Sequence, residues 1–385
     1  MTTFTIQPHD PAIARDGRPF AEGLRMKSLD WLYPSVVAGS LRTLLGKGAD
    51  PTFPEKQVEL LKEIRVEGPL PLANGELFFP APKDLAIDAK TSRCIGARPR
   101  PVREGDRSNL PTGLDPVMLP EEIEEDFKPA SPPAFWACGR MTAWLLNASG
   151  RGFAVPEGPE PPRRRDPASG YLDAPAHEER THTAVAAETS TADESMLFQT
   201  VGLRFDEEVV LAARAEARNG FAAALATLYT IHPLGGERRL AQWRAAATDA
   251  WNCPDDVRTA LGNLTAGAKV RMVLATPALF SGGWRPGWLD AKTLSGKPPG
   301  IPNCELKLKG ASVGRWQAIS GFSLEIGKTG PKEMRRLAPA GSVYFFELVG
   351  SGAADLADGW LKPVSDRPED QGDGFGLALW GIWSE

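Results

Sequence analysis

Residues 3–8 alternate along the chain in the manner of a short strand, and 9–20 follow as a polar, turn-rich loop ending Arg15-Asp16-Gly17-Arg18-Pro19-Phe20. The period then changes. Val37, Leu41, Leu44 and Leu45 recur at i, i+4, i+7 and i+8 after Pro34-Ser35, which predicts a helix that opens at the proline and stops at Gly46. A second helix is predicted over 55–64, with Val58, Leu61 and Ile64 on one side. The apolar segments 65–72 and 76–79 flank Asn74-Gly75, the turn signature of a tight β-hairpin. An aromatic helix is read around Trp136, Met141, Trp144 and Leu145, and a long hairpin from 181–187, a turn at 188–193, and 196–205.

The second half repeats the mixture. Strands are predicted near 209–217, 269–274, 315–324 and 343–349, and helices at 221–229 and from Pro254 to about Leu264. A glycine-punctuated final strand covers 374–381, where glycine marks a backbone that another segment or a ligand approaches closely. Strands and helices interleaved in this way predict an α+β protein with two sheet domains. The division expected from sequence is 1–147, then a Pro/Gly/Arg-rich arm and β-hairpin over 148–198, then 199–385. Long polar insertions interrupt the first part. Residues 93–107 carry five arginines against Glu104 and Asp106, 121–126 carry five acids, and 150–175 form a Pro/Gly-rich stretch with Arg163-Arg164-Arg165, read as a mobile arm or boundary.

A length of 385 residues supports a buried core, and a net charge of −5 excludes a polycation that coats nucleic acid through bulk charge. Any nucleic-acid contact must therefore use local patches. Cys94, Cys138, Cys253 and Cys304 lie far apart with no CxxC pair, which suits a reducing compartment better than a zinc site. No basic flank with an apolar signal core opens the chain, and the apolar stretch 270–280 is short and broken by Arg271 and Pro277. A cytoplasmic protein without a membrane partner is expected.

Most enzyme motifs are missing: no phosphate-binding GxxxxGK[ST] loop, HExxH or GxGxxG after a strand is present. The four histidines are His9, His177, His182 and His232. His9 beside Asp10 is a conceivable general base for RNA cleavage, and equally an ordinary loop histidine; His182 is an RNA contact or a plain strand residue. Asp193-Glu194 lacks a third carboxylate and reads as turn charge, so no metal or cofactor is expected. The basic clusters say more. Lys328, Lys332, Arg335 and Arg336 against Glu333 make a local +3, suited to phosphates or to a solvated loop face alike, and the same weighing applies to 93–107 and to Arg163–Arg165.

The order of several motifs goes further than composition. His9-Asp10-Pro11 through Arg15-Asp16-Gly17-Arg18, Pro34-Ser35-Val36-Val37-Ala38-Gly39-Ser40-Leu41-Arg42, and Phe79-Pro80-Ala81-Pro82-Lys83-Asp84 together resemble CRISPR repeat-associated (RAMP) proteins. Arg180-Thr181-His182-Thr183, Leu234-Gly235-Gly236-Glu237-Arg238-Arg239, and Pro331-Lys332-Glu333-Met334-Arg335-Arg336 are similar to the third-subunit family of type III-B (Cmr) effector complexes. The resemblance runs the length of the chain. It implies two ferredoxin-like (RRM-like) domains with long inserted loops and a β-hairpin arm. It also implies a non-catalytic, RNA-binding scaffold that caps the 5′ handle of the CRISPR RNA, between the large polymerase-like subunit and the first backbone filament subunit.

The RNA-binding residues expected on that basis are Arg15, Arg18, Ser35, Arg42, Arg180, His182, Arg238, Arg239, Lys332, Arg335, Arg336, Gly374 and Gly376. The start of the helix at Ser35 offers backbone N–H groups to phosphate, and unpaired RNA is gripped by amides, arginines and a protruding hairpin. One departure stands out: 374–381 lacks the basic residue that the family's final glycine-rich loop carries, which points to close packing there. Two other readings remain, a RAMP-type endoribonuclease that processes CRISPR repeat RNA through His9 or His182, and a protein adaptor without RNA contact.

Overall fold

The computed structural model describes residues 1–15, 28–46, 55–102, 105, 108–120, 127–159, 163–218, 220–248, 250–323 and 330–384. The chain forms two compact units, each assembled from three stretches: Met1–Pro69, Ala174–Ala247 and Ala318–Arg336 in the first, and Leu70–Asp173, Thr248–Gln317 and Leu337–Glu385 in the second. This differs from the sequential division at 1–147, 148–198 and 199–385. The reason is strand pairing: Thr2–Pro8 is bordered by Val210–Glu216 and Leu240–Ala246, both distant in sequence.

In the first unit the strands lie in the order Arg65–Ala73 (its part up to Pro69), Val210–Glu216, Thr2–Pro8, Leu240–Ala246, Tyr229–Pro233. Numbered along the chain, the first four read 2-3-1-4, with helix Pro34–Gly46 between strands one and two and helix Gly220–Ala226 between three and four. That is the ferredoxin-like βαββαβ order, with Tyr229–Pro233 added at one edge. The period of two puts Phe4 opposite Ala213 and Ile6 opposite Leu211 on one face, with Trp243 beside Ile6 on the other neighbour. Helix Pro34–Gly46 lays Val37, Ala38 and Leu41 onto that face, and all these side chains are buried. The 3.6-residue stripe read from the sequence is the stripe that packs. A separate two-stranded hairpin, Ala176–Val185 with Ala192–Arg204, runs from Ala176 opposite Arg204 to Val185 opposite Ala192.

The second unit repeats the strand order. Leu306–Ser312, Val343–Leu348, Lys269–Leu274 and Leu377–Ile382 lie side by side, again 2-3-1-4 along the chain, all pairs antiparallel. The crossover 275–305 carries no helix. Helices Cys138–Leu146 and Asp255–Gly262, which precede the first of these strands, pack instead on Leu377–Ile382. Strand Leu306–Ser312 was not foreseen, although Leu306 and Leu308 are buried and alternate with Lys307 and Lys309.

Two further expectations are corrected here. Trp136 belongs to strand Phe135–Ala137, opposite Phe79, and the helix begins at Cys138. Three aromatic neighbours hold it there: Phe153 stacked at 5.4 Å, Tyr171 edge-on at 5.5 Å and Trp144 at 6.1 Å. The described parts of the stretch read as a mobile arm or boundary, 150–159 and 163–175, are paired into the fold rather than forming an arm, and a unit boundary falls near their end, between Asp173 and Ala174. Phe153–Ala154 pairs with Arg93–Gly96, Tyr171–Leu172 pairs with Phe135–Ala137, and Asp173 accepts from the Arg165 backbone N–H at 3.0 Å and its guanidinium at 3.4 Å. The acids of 121–126 lie outside the described residues. Among the described residues, no helix is long and apolar enough to cross a membrane.

Candidate nucleic-acid interface

In the first unit, three separate segments abut the start of helix Pro34–Gly46. The first two meet at Ile13 and Gly235, which form a parallel bridge; the Gly236 N–H donates to the Ile13 carbonyl at 2.8 Å. Gly235 has φ +75°, and a Cβ there would sit 2.4 Å from the Ile13 oxygen and 3.7 Å from Val36 Cγ1. Only glycine fits, because both the backbone region and the space exclude a side chain. The loop closes on itself through Leu234 N–H to the Arg239 carbonyl at 2.8 Å. Glu237 and Arg238 both have positive φ, 55° and 49°, a conformation that costs on the order of 1–3 kcal/mol for each such residue. The turn leaves Arg238 exposed and Arg239 half-buried.

The third segment is the hairpin in 318–336. The hydroxyl of Tyr33, the residue before the helix, donates to the Ala318 carbonyl at 3.3 Å. Lys332 N–H donates to the Gly321 carbonyl at 2.8 Å, Ser320 Oγ donates to the Lys332 carbonyl at 2.9 Å, and Phe322 lies opposite Pro331. Lys332 and Arg336 are exposed and Arg335 is half-buried. Arg15, exposed, is two residues beyond Ile13. The arrangement thus gathers Arg15, Ser35, Arg238, Arg239, Lys332 and the Arg335–Arg336 pair onto segments that share one helix start. Cations held on an ordered backbone, beside a helix terminus whose first N–H groups have no intrahelical acceptor, suit a phosphate chain.

The remaining expected residues are not brought there. Arg42 turns inward, and its guanidinium donates to the Ile64 carbonyl at 2.7 Å, so it ties helix Pro34–Gly46 to the end of helix Glu55–Lys62. Arg180 pairs with Glu178 at 2.6 Å on the hairpin Ala176–Arg204, where His182 Nε2 lies 2.8 Å from Thr200 Oγ1 and its ring stacks on Phe198 at 5.1 Å. Gly374 and Gly376 are buried, which corrects their assignment as RNA contacts. Thr276 Oγ1 donates to the Gly374 carbonyl, and a Cβ at Gly376 would meet Ser365 Oγ at 2.7 Å. At Gly376 the Ser365 hydroxyl and backbone N leave no room for a side chain, and Gly374 and Gly376 have φ of 91° and 82°, the left-handed region that favours glycine. Arg18 and Lys328 lie outside the described residues.

The cysteines offer little nucleophilic chemistry. Burial pushes the Cys94 and Cys304 thiols up to about 12 and Cys138 and Cys253 up to about 11. The Ile13–Gly235 contact was not read from the sequence, since it joins segments more than 200 residues apart. Its one local signal was the Gly235-Gly236 pair.

Residues 4–383 match the family described as CRISPR-associated protein (Cas_Cmr3). Comparison with curated proteins returns no match. Among solved structures, a chain of the type III-B Cmr-beta complex bound to cognate target RNA and AMPPnP, determined by cryo-EM, is 17% identical with a TM-score of 0.46, covering 89% of this chain and 86% of that one. A chain of Cmr-beta bound to cognate target RNA gives 15%, 0.48, 89% and 86%. A chain of the Csm3-Csm4 subcomplex of the type III-A interference complex gives 11%, 0.38, 91% and 94%.

Proposed function

The chain belongs to the family of CRISPR-associated proteins described as Cas_Cmr3, and from that membership we propose that it is a non-catalytic, RNA-binding scaffold of a type III-B effector ribonucleoprotein. It caps the 5′ handle of the CRISPR RNA and bridges the large polymerase-like subunit to the first backbone filament subunit. The observation that carries this reading is the convergence of Arg15, the loop ending Arg238-Arg239 and the Lys332–Arg336 hairpin on the start of helix Pro34–Gly46. A net charge of −5 gives no long-range pull on phosphate, so the handle is held by this local patch and by the partner subunits together. His182, held by Thr200 and stacked on Phe198, has no carboxylate orienting it among the described contacts, which fits a structural role in the hairpin.

The reading is tested by incubating the purified chain, alone and with its partner subunits, with labelled CRISPR repeat RNA. Retention of intact RNA that depends on the handle supports it. Cleavage of the repeat by the chain alone would support the endoribonuclease, and assembly indifferent to the handle would support a protein adaptor.

A further inference from the structure

In the second unit, Lys83 occupies a cradle that its own sequence neighbourhood does not explain. Its backbone is pinned on both sides: its N–H donates to the Gly341 carbonyl at 2.8 Å, and its carbonyl accepts from Ser312 Oγ at 2.6 Å. Its side-chain stem lies along Gly314, where a Cβ would come within 2.9 Å of Lys83 Cε and 3.1 Å of Pro339 Cγ. A larger residue at 314 would push the stem away. The next residue in sequence, Asp84, turns its carboxylate into the interior toward Arg98 and Arg271. Among the described residues no carboxylate forms an ion pair with Lys83, and burial alone draws its ammonium below the ordinary lysine value. Lys83 as a whole still reaches solvent, and a cation held in place without a counter-charge is open to an anion.

Beyond Gly314 the chain continues through Arg315 and Trp316. Arg315 is exposed, and Trp316 is 50% exposed although tryptophan is usually well covered. An exposed indole adjacent in sequence to Arg315, and two residues from the Gly314 that abuts the Lys83 stem, has the elements of a single-stranded nucleic-acid site, in which cations track the phosphates and an aromatic face takes a base.

We propose that Lys83, Arg315 and Trp316 form a second single-stranded RNA contact, where Lys83 and Arg315 hold one phosphate and Trp316 stacks on the attached base. This rests on the RNA-binding reading above and adds to it a site in the second unit. The stem of Lys83 is already ordered by Gly314, so less rotamer freedom is lost on binding than for a lysine in solvent.

The test is a titration of the full chain with a short single-stranded RNA carrying the handle, for the wild type and for Trp316→Ala, Lys83→Met and Lys83→Arg. Trp316→Ala should weaken binding about tenfold, within the range measured for one stacked base. Lys83→Met should weaken it and flatten the salt slope by ~0.7, one phosphate's worth of counterion; Lys83→Arg should restore both. Trp316→Phe should retain binding but lose the fluorescence change that RNA causes in the wild type. Wild-type affinity and slope in Trp316→Ala and Lys83→Met, with binding still weakened by Arg238→Ala, would overturn this site and leave the proposed function standing. RNA binding absent from the wild type, alone and assembled, would overturn both. Loss of a partner subunit in Trp316→Ala with RNA affinity unchanged would make Trp316 a protein contact and also overturn the proposal.

Discussion

Arg271 Nη1 donates to Asp84 Oδ2 at 2.8 Å with both side chains fully buried. Arg98 Nη1 donates to the same oxygen at 3.0 Å, and Trp144 Nε1 to the other at 2.9 Å. One carboxylate thus serves two guanidiniums. The surplus charge is met by the Ala148 and Asn147 carbonyls just past the end of helix Cys138–Leu146, at 3.2 and 3.3 Å from Arg98, and by the Trp144 ring 5.4 Å from Arg271. Burial pulls the Arg271 guanidinium down to about 10, with Asp84 acting against it, so it stays charged at neutral pH.

The cluster predicts an order of damage. Asp84→Ala leaves two buried cations unneutralised and should cost about 3–5 kcal/mol, the scale for breaking a buried pair from one side. Arg271→Met leaves Arg98 paired with Asp84 and should cost clearly less. Denaturant unfolding of both variants measures it; an Arg271→Met loss equal to or above that of Asp84→Ala would refute the shared-carboxylate account.

Gly235→Ala should separate the RNA patch from the fold. The substitution strains a φ of +75° and drives a Cβ into the Ile13 oxygen, at a cost of on the order of 1–3 kcal/mol. Thermal unfolding should shift down by a few degrees, while handle-dependent assembly falls more steeply because Arg238 and Arg239 move off the helix start. Assembly unchanged beside a lowered melting point would show that the loop does not grip RNA.

The parts of the fold legible in the sequence were those set by neighbours along the chain. The Asn74-Gly75 turn is there, with φ of 52° and 78°, and so are the helix from Pro34 to Gly46 and the strand Lys269–Leu274. What escaped was set by partners far away. Arg98 read as one of a run of loop arginines, and Arg271 as a charge interrupting an apolar stretch, because nothing local reveals that Asp84 waits for both. Trp136 fits a helical stripe with Trp144, yet the strand it joins comes from Glu76–Pro80. The site divides in the same way. Arg238-Arg239 and Lys332–Arg336 were visible as basic clusters, whereas the inward turn of Arg42 depends on Ile64.

Lys269 Nζ donates to Glu347 Oε2 at 3.0 Å, and this bond holds the Glu347 carboxyl below its ordinary 4.5. A depressed folded-state carboxyl adds stability above the unfolded value that is lost as pH falls through the folded one. Glu347→Gln should therefore flatten the acid limb of the stability curve below about pH 4.5, by less than about 1 kcal/mol for so accessible a pair. Unfolding curves collected from neutral to acid pH read it; an acid limb as steep in the variant would assign that loss to other groups.

The thiols predict resistance to alkylation. With Cys94 and Cys304 pushed up to about 12, roughly one molecule in ten thousand carries the thiolate at pH 8. Iodoacetamide should label these positions in denaturant and leave them nearly untouched in the native chain, as peptide mass mapping would register. Rapid native labelling of Cys94 or Cys304 would contradict their burial.

The measurement that bears most directly on the proposed function is the salt dependence of handle-dependent assembly when Arg335 and Arg336 are both replaced by alanine. The two arginines lie in the strand Arg335–Leu337, on the hairpin that Tyr33 joins to the helix start. Each phosphate contact contributes ~0.7 to the slope of log affinity against log salt for a single strand. The double variant should assemble more weakly and lose about one to two counterions from that slope, while its unfolding transition stays near that of the wild type. Unchanged assembly and slope in this variant, with both abolished by alanine at Arg163, Arg164 and Arg165, would move the RNA path to the other unit and contradict the account.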